Sequence, residues 1–323
     1  MRLATFNMES FGADRHDPDA LTPRLDALRP KILELEADIL CLQEVNAQKR
    51  KGVSARQFQA LELLLEGTPY EKFNRATSER PSGKGPGDRH NLVVLSRFPI
   101  TRCLSLYQAH AHPPHWQPKT AVPAYRSPQT ILFDRPVLQV EIDIGTGRPL
   151  HVFCVHLRAP IAAMIRGGKA EDRTWTSVSA WAEGYQLSVL KQTAQALELR
   201  LAVEDLFDAN EDSQIVLAGD FNATGETGTL RLLRADPDDT CSPQLAARRL
   251  YQLDASLPPE KRQTVIHKGK GQALDHILAS ASVAHRTVDF KVFNVGLPDE
   301  VFDADEDAYA GSFHAAMLAE FEF

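Results

Sequence analysis

The chain has 323 residues, of which 43% are hydrophobic and 24% charged, and it carries a formal net charge of −7. That supplies enough apolar material for a large core. The acidic balance excludes a global basic field that would coat duplex nucleic acid or an anionic membrane, although a local patch or a bound cation could still handle phosphate. No stretch approaches the roughly 18 apolar residues that span a bilayer, and no cationic, apolar leader precedes Leu3-Ala4-Thr5-Phe6. Cys41, Cys103, Cys154 and Cys241 are widely spaced without a C-x-x-C pair. They read as buried free thiols of a reducing compartment, so a cytoplasmic protein without stable membrane association is expected.

In chain order, Leu3 to Met8 reads as a strand ending on Asn7 and Glu9, followed by a polar loop from Asp14 to Ala20. Leu21, Leu25, Leu28, Ile32, Leu33 and Leu35 recur at helical spacing, and the apolar run Ile39 to Leu42 closes on Gln43 and Glu44. Phe58, Leu61, Leu64 and Leu65 mark a second amphipathic helix. Residues 74 to 90, rich in charge, Gly and Pro, read as a loop before the strand Leu92 to Leu95. Tyr107 to Pro128 has no periodicity. Val137 to Ile144 alternates as a strand, and Gly145-Thr146-Gly147 turns it into a partner, Leu150 to Val155, that ends on His156.

After an irregular segment, 157 to 177, a long helix is expected from about Ser179 to Phe207 with Leu187, Leu190, Leu197, Leu201 and Leu206 on its face. Ile215 to Ala218 is then a buried strand leading through Gly219 to Asp220 and Asn222. If the pleat persists, those two side chains share a face; an Asx turn closing the strand is the structural alternative. A short helix at Thr229 to Leu233, strands at Asp275 to Leu278 and Phe290 to Val295, an acidic stretch from Asp299 to Asp307 and a closing strand from His314 complete the chain. No linker divides it. The alternation suits two sheets packed face to face with helices outside, in a single domain over residues 1–323.

The polar residues at these strand ends are Asn7, Glu9, Glu44, His156, Asp220, Asn222, Asp275 and His314. They combine carboxylates, amides and imidazoles in a set suited to phosphate-ester hydrolysis. Clustered carboxylates repel one another, and a hard divalent cation with oxygen ligands resolves the repulsion. Such a cation polarises a phosphoryl oxygen and stabilises the leaving group, while a His–Asp pair moves protons.

Thr5-Phe6-Asn7-Met8-Glu9, Leu42-Gln43-Glu44-Val45, Val155-His156-Leu157, Gly219-Asp220-Phe221-Asn222, Leu274-Asp275-His276-Ile277-Leu278 and Ser312-Phe313-His314 occur in that order. In this the chain resembles the endonuclease/exonuclease/phosphatase superfamily, in its deoxyribonuclease- and sphingomyelinase-like branch. The resemblance implies a four-layered α/β sandwich of two packed mixed β-sheets flanked by helices, and a Mg²⁺-dependent phosphoesterase. It implies Glu44 as principal metal ligand with Asn7 and Glu9 beside it, and Asp220 and Asn222 orienting the attacking water and the phosphate. Asp275 and His314 become the Asp–His pair, with His314 as general base or phosphate contact, and His156 polarises a non-bridging oxygen or assists the leaving group. Mn²⁺ shares such hard-oxygen sites with Mg²⁺.

The last motif departs from the family's Ser-Asp-His: Phe313 stands where a ligand Asp is usual, and Asp305 or Asp307 is a candidate stand-in. The acidic stretch otherwise reads as solvated surface, and without the required Gly and final Glu it is no EF-hand loop. His110, His112 and His115 read as surface decoration, and His151 and His276 as structural. The expected activity is a phosphodiesterase, foremost a nuclease on single-stranded or short nucleic acid or a small phosphodiester. The alternatives are a phosphomonoesterase, a lipid-headgroup phosphodiesterase of sphingomyelinase type and, supported by Phe313 alone, a silent binding module. No protein partner is implied.

Overall fold

The computed structural model describes residues 1–12, 18–303 and 310–323. Strand β1 (Arg2–Phe11) is followed by helix α1 (Pro18–Leu35), β2 (Ile39–Val45), α2 (Gln59–Leu65), β3 (Asn74–Thr77), β4 (Asn91–Ser96) and β5 (Ile100–Leu106). The two-residue strands β6 (His115–Trp116) and β7 (Gln129–Thr130) pair with each other. Then come β8 (Val137–Ile142), β9 (Leu150–His156), α3 (Val178–Ala209), β10 (Gln214–Asp220) and α4 (Gly228–Arg234). The remaining strands are β11 (Leu250–Gln252), β12 (Val265–His267), β13 (Lys270–Gln272), β14 (Asp275–Ser280), β15 (Thr287–Val292) and β16 (Met317–Phe321).

Two six-stranded mixed sheets form, in the orders β15-β16-β1-β2-β4-β3 and β11-β14-β10-β9-β8-β5. Each has a parallel pair at its centre, β1 with β2 and β9 with β10. The strands beside those pairs (β16 and β4, β14 and β8) run antiparallel to them. The carboxyl ends of β1, β2, β9 and β10 therefore lie at the same edges of their sheets as the amino ends of β16, β4, β14 and β8.

Strand alternation assigns each side chain to a layer. Leu3, Ile39, Cys41, Leu150, Val152, Cys154, Val216, Ala218, Ile277 and Ala279 share the core between the sheets. Ala4, Phe6, Met8, Leu40 and Leu42 pack on the outer side with Leu28 and Ile32 of α1 and Leu61 and Leu64 of α2. Phe153, Val155, Ile215, Leu217 and Leu278 pack with Leu199 and Val203 of α3 and Leu230 of α4. The result is the expected four-layered sandwich. A fully buried Leu, Ile or Val contributes about 1.5–3 kcal/mol, and a one-residue slip would turn all of a strand's core side chains to the wrong face. This register also fixes where the strand-end residues point, polar or not.

Several expectations shift. Helix α1 begins at Pro18, inside the segment read as loop, because proline is well suited to a first helical turn. Asn74–Thr77 is an edge strand, where charge and polarity are tolerated on the solvent side. β5 to β7 and β11 to β13 are short or edge strands whose alternation is too brief to stand out in sequence. The closing strand begins only at Met317, and the strand placed at Phe290 to Val295 runs instead from Thr287 to Val292. None of the five leucines expected on the packing face of α3 is fully buried, and Leu197 is exposed, while Ala180, Gly184, Ser188, Gln192, Gln195, Ala196 and Leu199 are buried. Small and amide side chains fit there because the helix lies on loop backbone as well as on large side chains of the sheet. Ala163 N–H donates to the Gly184 carbonyl at 2.9 Å and Arg158 N–H to Gln195 Oε1 at 2.8 Å. All four cysteines are free, but only Cys41 and Cys154 are buried; Cys103 and Cys241 are exposed.

Gly219 explains how β10 passes so close to β9. Its φ is +148°, and a Cβ there would clash with the Val155 carbonyl oxygen, far closer than van der Waals contact allows. Gly219→Ala is expected to destabilise the fold by on the order of 3 kcal/mol, from strain at a positive φ and a backbone clash. Urea unfolding would measure this, and a loss no larger than that of an ordinary surface substitution would count against the close approach.

Candidate active site

The strand ends converge on one polar cluster. Asn7, Asp220, Asp275 and His156 are the last or first inward-facing members of their strands, and all are buried. Asn7 Nδ2 donates to Asp220 Oδ2 at 3.1 Å across the two sheets. Asp220 also accepts from Asn222 Nδ2 at 3.0 Å and from Asn222 N–H at 2.7 Å. The pleat does not persist past Asp220. Asn222 has φ +49°, so the chain closes an Asx-type turn that nevertheless brings both side chains together.

Left-handed backbone recurs at these ends. Glu9 (φ 50°), Ser10 (50°), Glu44 (57°) and His90 (56°) share it with Asn222. A non-glycine residue there costs about 1–3 kcal/mol and persists only where its surroundings hold it. The restraints are present. Arg24 of α1 donates to the carbonyls of Met8 and Glu9 at 2.6 and 2.7 Å and also bonds the Gly311 carbonyl. Asn46 accepts from His90 N–H at 3.0 Å and donates to the Ser10 carbonyl at 2.9 Å. Irregular pairing between Leu42 and Val45 re-aims Glu44, which simple alternation would send toward the helices.

Glu44 accepts from Ser10 N–H at 2.9 Å and from Ser10 Oγ at 3.1 Å; its oxygens lie 3.3 Å from His90 Nδ1 and 3.6 Å from His156 Nε2. Burial opposes its ionisation, but His90, His156 and Arg135 more than offset this and hold the carboxyl well below the usual range. Burial, reinforced by the positive charge of Arg135, pushes His156 well below its ordinary pKa. Arg135 itself contacts both ring nitrogens of His156. His314 Nδ1 lies 2.9 Å from Asp275 Oδ2. Burial works against its protonation, yet the charge and hydrogen bond of Asp275 prevail and raise it to about 10. Burial and then the charge of Asp275 push Asp220 up to about 7. Burial also raises Glu9.

Two groups of ligand-type atoms result, each within 4.8 Å: Glu44, His90 and His156, and Asp220, Asp275 and His314. Glu9 is in neither group, though its charge acts on His314. The Asn7 carboxamide oxygen is engaged by Glu9 N–H at 3.0 Å. Asp275 Oδ1 is buried without a hydrogen-bond partner. An orphaned carboxylate oxygen among crowded acids fits a hard divalent cation.

His90 and Arg135 were not singled out from sequence. Both stand directly before strands that run antiparallel to the site's parallel pairs, and that pairing is invisible in sequence. The candidate stand-ins for an acid at position 313, Asp305 and Asp307, lie outside the described residues. His276 is structural as expected: it is buried between Asp254 (3.2 Å) and the Ala223 carbonyl (2.8 Å). His110 lies 3.0 Å from Asp205 and His115 3.3 Å from Thr130, and neither belongs to a metal-type group among the described residues.

The chain belongs to the endonuclease/exonuclease/phosphatase family, whose family model matches residues 4–293. Its members are divalent-metal-dependent hydrolases of phosphate esters. No curated protein sequence matches the chain. Among solved structures it resembles an endonuclease/exonuclease/phosphatase family protein from Leptotrichia buccalis C-1013-b, with TM-score 0.53, 16% identity and full coverage of both chains. Truncated Caenorhabditis elegans TDP2 aligns with TM-score 0.56 and 14% identity over 100% of this chain and 97% of that one. A 3′ phosphatase, NExo from Neisseria, bound to a product DNA hairpin, aligns with TM-score 0.51 and 17% identity over the whole of both. At these identities the likeness establishes the fold alone.

The raised Asp220 pKa gives stability a pH dependence of definite sign. Without metal, the folded state holds this proton more tightly than the unfolded chain, whose value is 3.8. The stabilisation is complete below that value and is lost as pH rises through about 7. Asp220→Asn removes the contribution. Its melting temperature in EDTA should therefore gain on the wild type between about pH 4 and about pH 7 and then level off. A difference that stays flat with pH would show that Asp220 is not raised.

Proposed function

We propose that the chain is a Mg²⁺-dependent phosphodiesterase acting on single-stranded or short nucleic acid. The observation that carries this reading is the convergence of Glu9, Glu44, Asp220 and Asp275 with Asn7, Asn222, His156 and His314 at one end of the inter-sheet core. Glu44, with Asn7 and Glu9 beside it, would hold the cation. When bound, the cation supplies charge to a phosphoryl oxygen and to the departing oxygen. Mn²⁺ is the alternative ion.

The chain's own residues divide the remaining work. Asp220, with a pKa near neutrality, would take a proton from the attacking water, and Asn222 would orient that water and the phosphate. His314, kept protonated by Asp275, suits a phosphate contact more than a general base. Neutral His156 can donate Nε2–H to a non-bridging oxygen, and Arg135 adds a positive charge beside it. A phosphomonoesterase using the same centre is the second reading, because the structural neighbour NExo is described both as a 3′ phosphatase and as a 3′-5′ exonuclease. Among the described residues no helix is long and apolar enough to cross a membrane. Four free thiols support a reducing, cytoplasmic setting.

A hydrolysis panel in Mg²⁺, Mn²⁺ or EDTA tests the assignment, using bis-p-nitrophenyl phosphate, p-nitrophenyl phosphate, single- and double-stranded DNA, RNA and sphingomyelin. Diester and nucleic-acid cleavage should require the metal and fall by about 100-fold or more in Asp220→Asn and His314→Ala. Variants as active as the wild type would remove the site. Cleavage confined to the monoester or to sphingomyelin would overturn the nuclease reading.

A further inference from the structure

A line of exposed apolar side chains runs along the first turns of α3 and ends at the candidate site. Val178, Trp181 and Tyr185 recur at three- and four-residue spacing and so share one face; they are 79%, 45% and 41% exposed. The Trp181 and Tyr185 rings stack, with centroids 5.6 Å apart and planes at 29°. Val189 and Gln192 continue the line, and Gln192 Nε2 donates to the carbonyls of Phe221 and Asn222 at 3.3 and 2.8 Å. The same face of α3 that carries the ring pair is thus anchored, two turns further on, to the turn that carries Asn222.

A cavity of about 390 Å³ opens at that junction, lined by Pro160, Tyr185, Val189, Asn222, Thr224 and Gln272 among others. No charged side chain lines it among the described residues, although it adjoins a cluster of four carboxylates. A phosphate has no counter-charge there. A flat, neutral group with hydrogen-bonding edges does fit, between an aromatic wall and amide and hydroxyl groups.

The loop packed against α3 adds positive charge close to further rings. The Arg166 guanidinium sits 4.1 Å from the Tyr125 ring centroid and the Lys169 ammonium 4.9 Å from that of Trp175. A backbone bond from Ala163 N–H to the Gly184 carbonyl (2.9 Å) ties this loop to the helix, and one from Val122 N–H to the Arg166 carbonyl (2.8 Å) ties it to the segment that carries Tyr125. Cations interleaved with aromatic faces are the pattern by which proteins hold unpaired strands, with phosphates near the charges and bases on the rings. A duplex keeps its bases stacked inside and cannot use such a platform.

We propose that this surface is a nucleoside subsite. A base of a single-stranded substrate occupies the neutral cavity against Tyr185, backed by Trp181, while its phosphate lies at Asp220, Asn222 and His156. The proposal rests on the phosphodiesterase reading and deepens it: the enzyme recognises bases as well as backbone.

Binding of a fluorescein-labelled oligothymidylate, followed by anisotropy in EDTA, tests the subsite without turnover. Trp181→Ala and Tyr185→Ala should weaken binding by about tenfold, whereas Tyr185→Phe, which keeps the ring, should bind like the wild type. In Mg²⁺, the p-nitrophenyl ester of thymidine 5′-phosphate should be hydrolysed in preference to methyl p-nitrophenyl phosphate, which has the same leaving group. The ratio of their kcat/KM values should fall by about tenfold in Tyr185→Ala. An unchanged affinity in both alanine variants, or equal binding of a base-free deoxyribose-phosphate oligomer, would overturn the subsite. So would loss of phosphatidylcholine-vesicle binding in Trp181→Ala with oligothymidylate binding intact, which would make the face a lipid surface. Ring-dependent oligothymidylate binding with neither ester hydrolysed would support the subsite and overturn the phosphodiesterase reading. Hydrolysis of both esters without preference would overturn the subsite alone.

Discussion

The hydrogen bond from Asn7 to Asp220, joining residues 213 positions apart, marks the constraint on which the site depends. Two sheets pack through inward faces that are largely apolar along their middle and gather their carboxylates at one end. Leu3-Thr5-Asn7, Leu150-Val152-Cys154-His156 and Val216-Ala218-Asp220 are each a single inward-facing series. Their apolar members set the register, and their last members are carried into the cluster by the same alternation. Just beneath, Gln43 bridges the sheets, donating to Thr5 Oγ1 at 3.0 Å and to Cys154 Sγ at 3.2 Å. The transition from core to site is therefore graded, from hydrocarbon through a neutral polar layer to carboxylates.

The electrostatics follow from this burial. A carboxylate at the end of an inward series loses water without gaining a cationic partner of its own, so Asp220 rises in pKa while its neighbour Asp275 holds His314 protonated. Glu44 sits on a re-aimed backbone beside two imidazoles and an arginine and shifts the opposite way. Acids in one cleft with pKa values driven apart can take different roles. The left-handed residues at 9, 10, 44, 90 and 222 belong to the same economy of structure: strain gathers where the chain must turn side chains toward one point, and Arg24 and Asn46 restrain it.

Around this shared centre the loops differ in character. The connection from β9 to α3 and the first turns of α3 carry exposed rings and cations on a side where the cluster itself is acidic. On the proposed reading, chemistry at phosphorus and recognition of what the phosphate bears would come from different parts of the chain, the first from strand ends in a rigid core and the second from a loop braced on one helix face.

The sequence by itself determined much of the arrangement. Apolar runs and helical spacing located the central strands and the long helices, and the ordered motifs carrying Asn7, Glu44, His156, Asp220, Asp275 and His314 indicated both the sandwich and the class of chemistry. These features are local, written in periodicity and in short stretches of adjacent residues. Tertiary structure decided the rest. Which face of α3 is buried depends on loop backbone lying beneath it, so small and amide residues, with Leu199, took the place of the leucines expected there. The inclusion of His90 and Arg135 depends on antiparallel neighbours supplying their amino ends, a pairing that no residue announces. The convergence of Asp220 with Asn222, and the aim of Glu44, come from positive-φ turns held by distant side chains, not from continued pleat. Pairing, burial and backbone restraint act between residues far apart in the chain, and for that reason only the folded molecule discloses them.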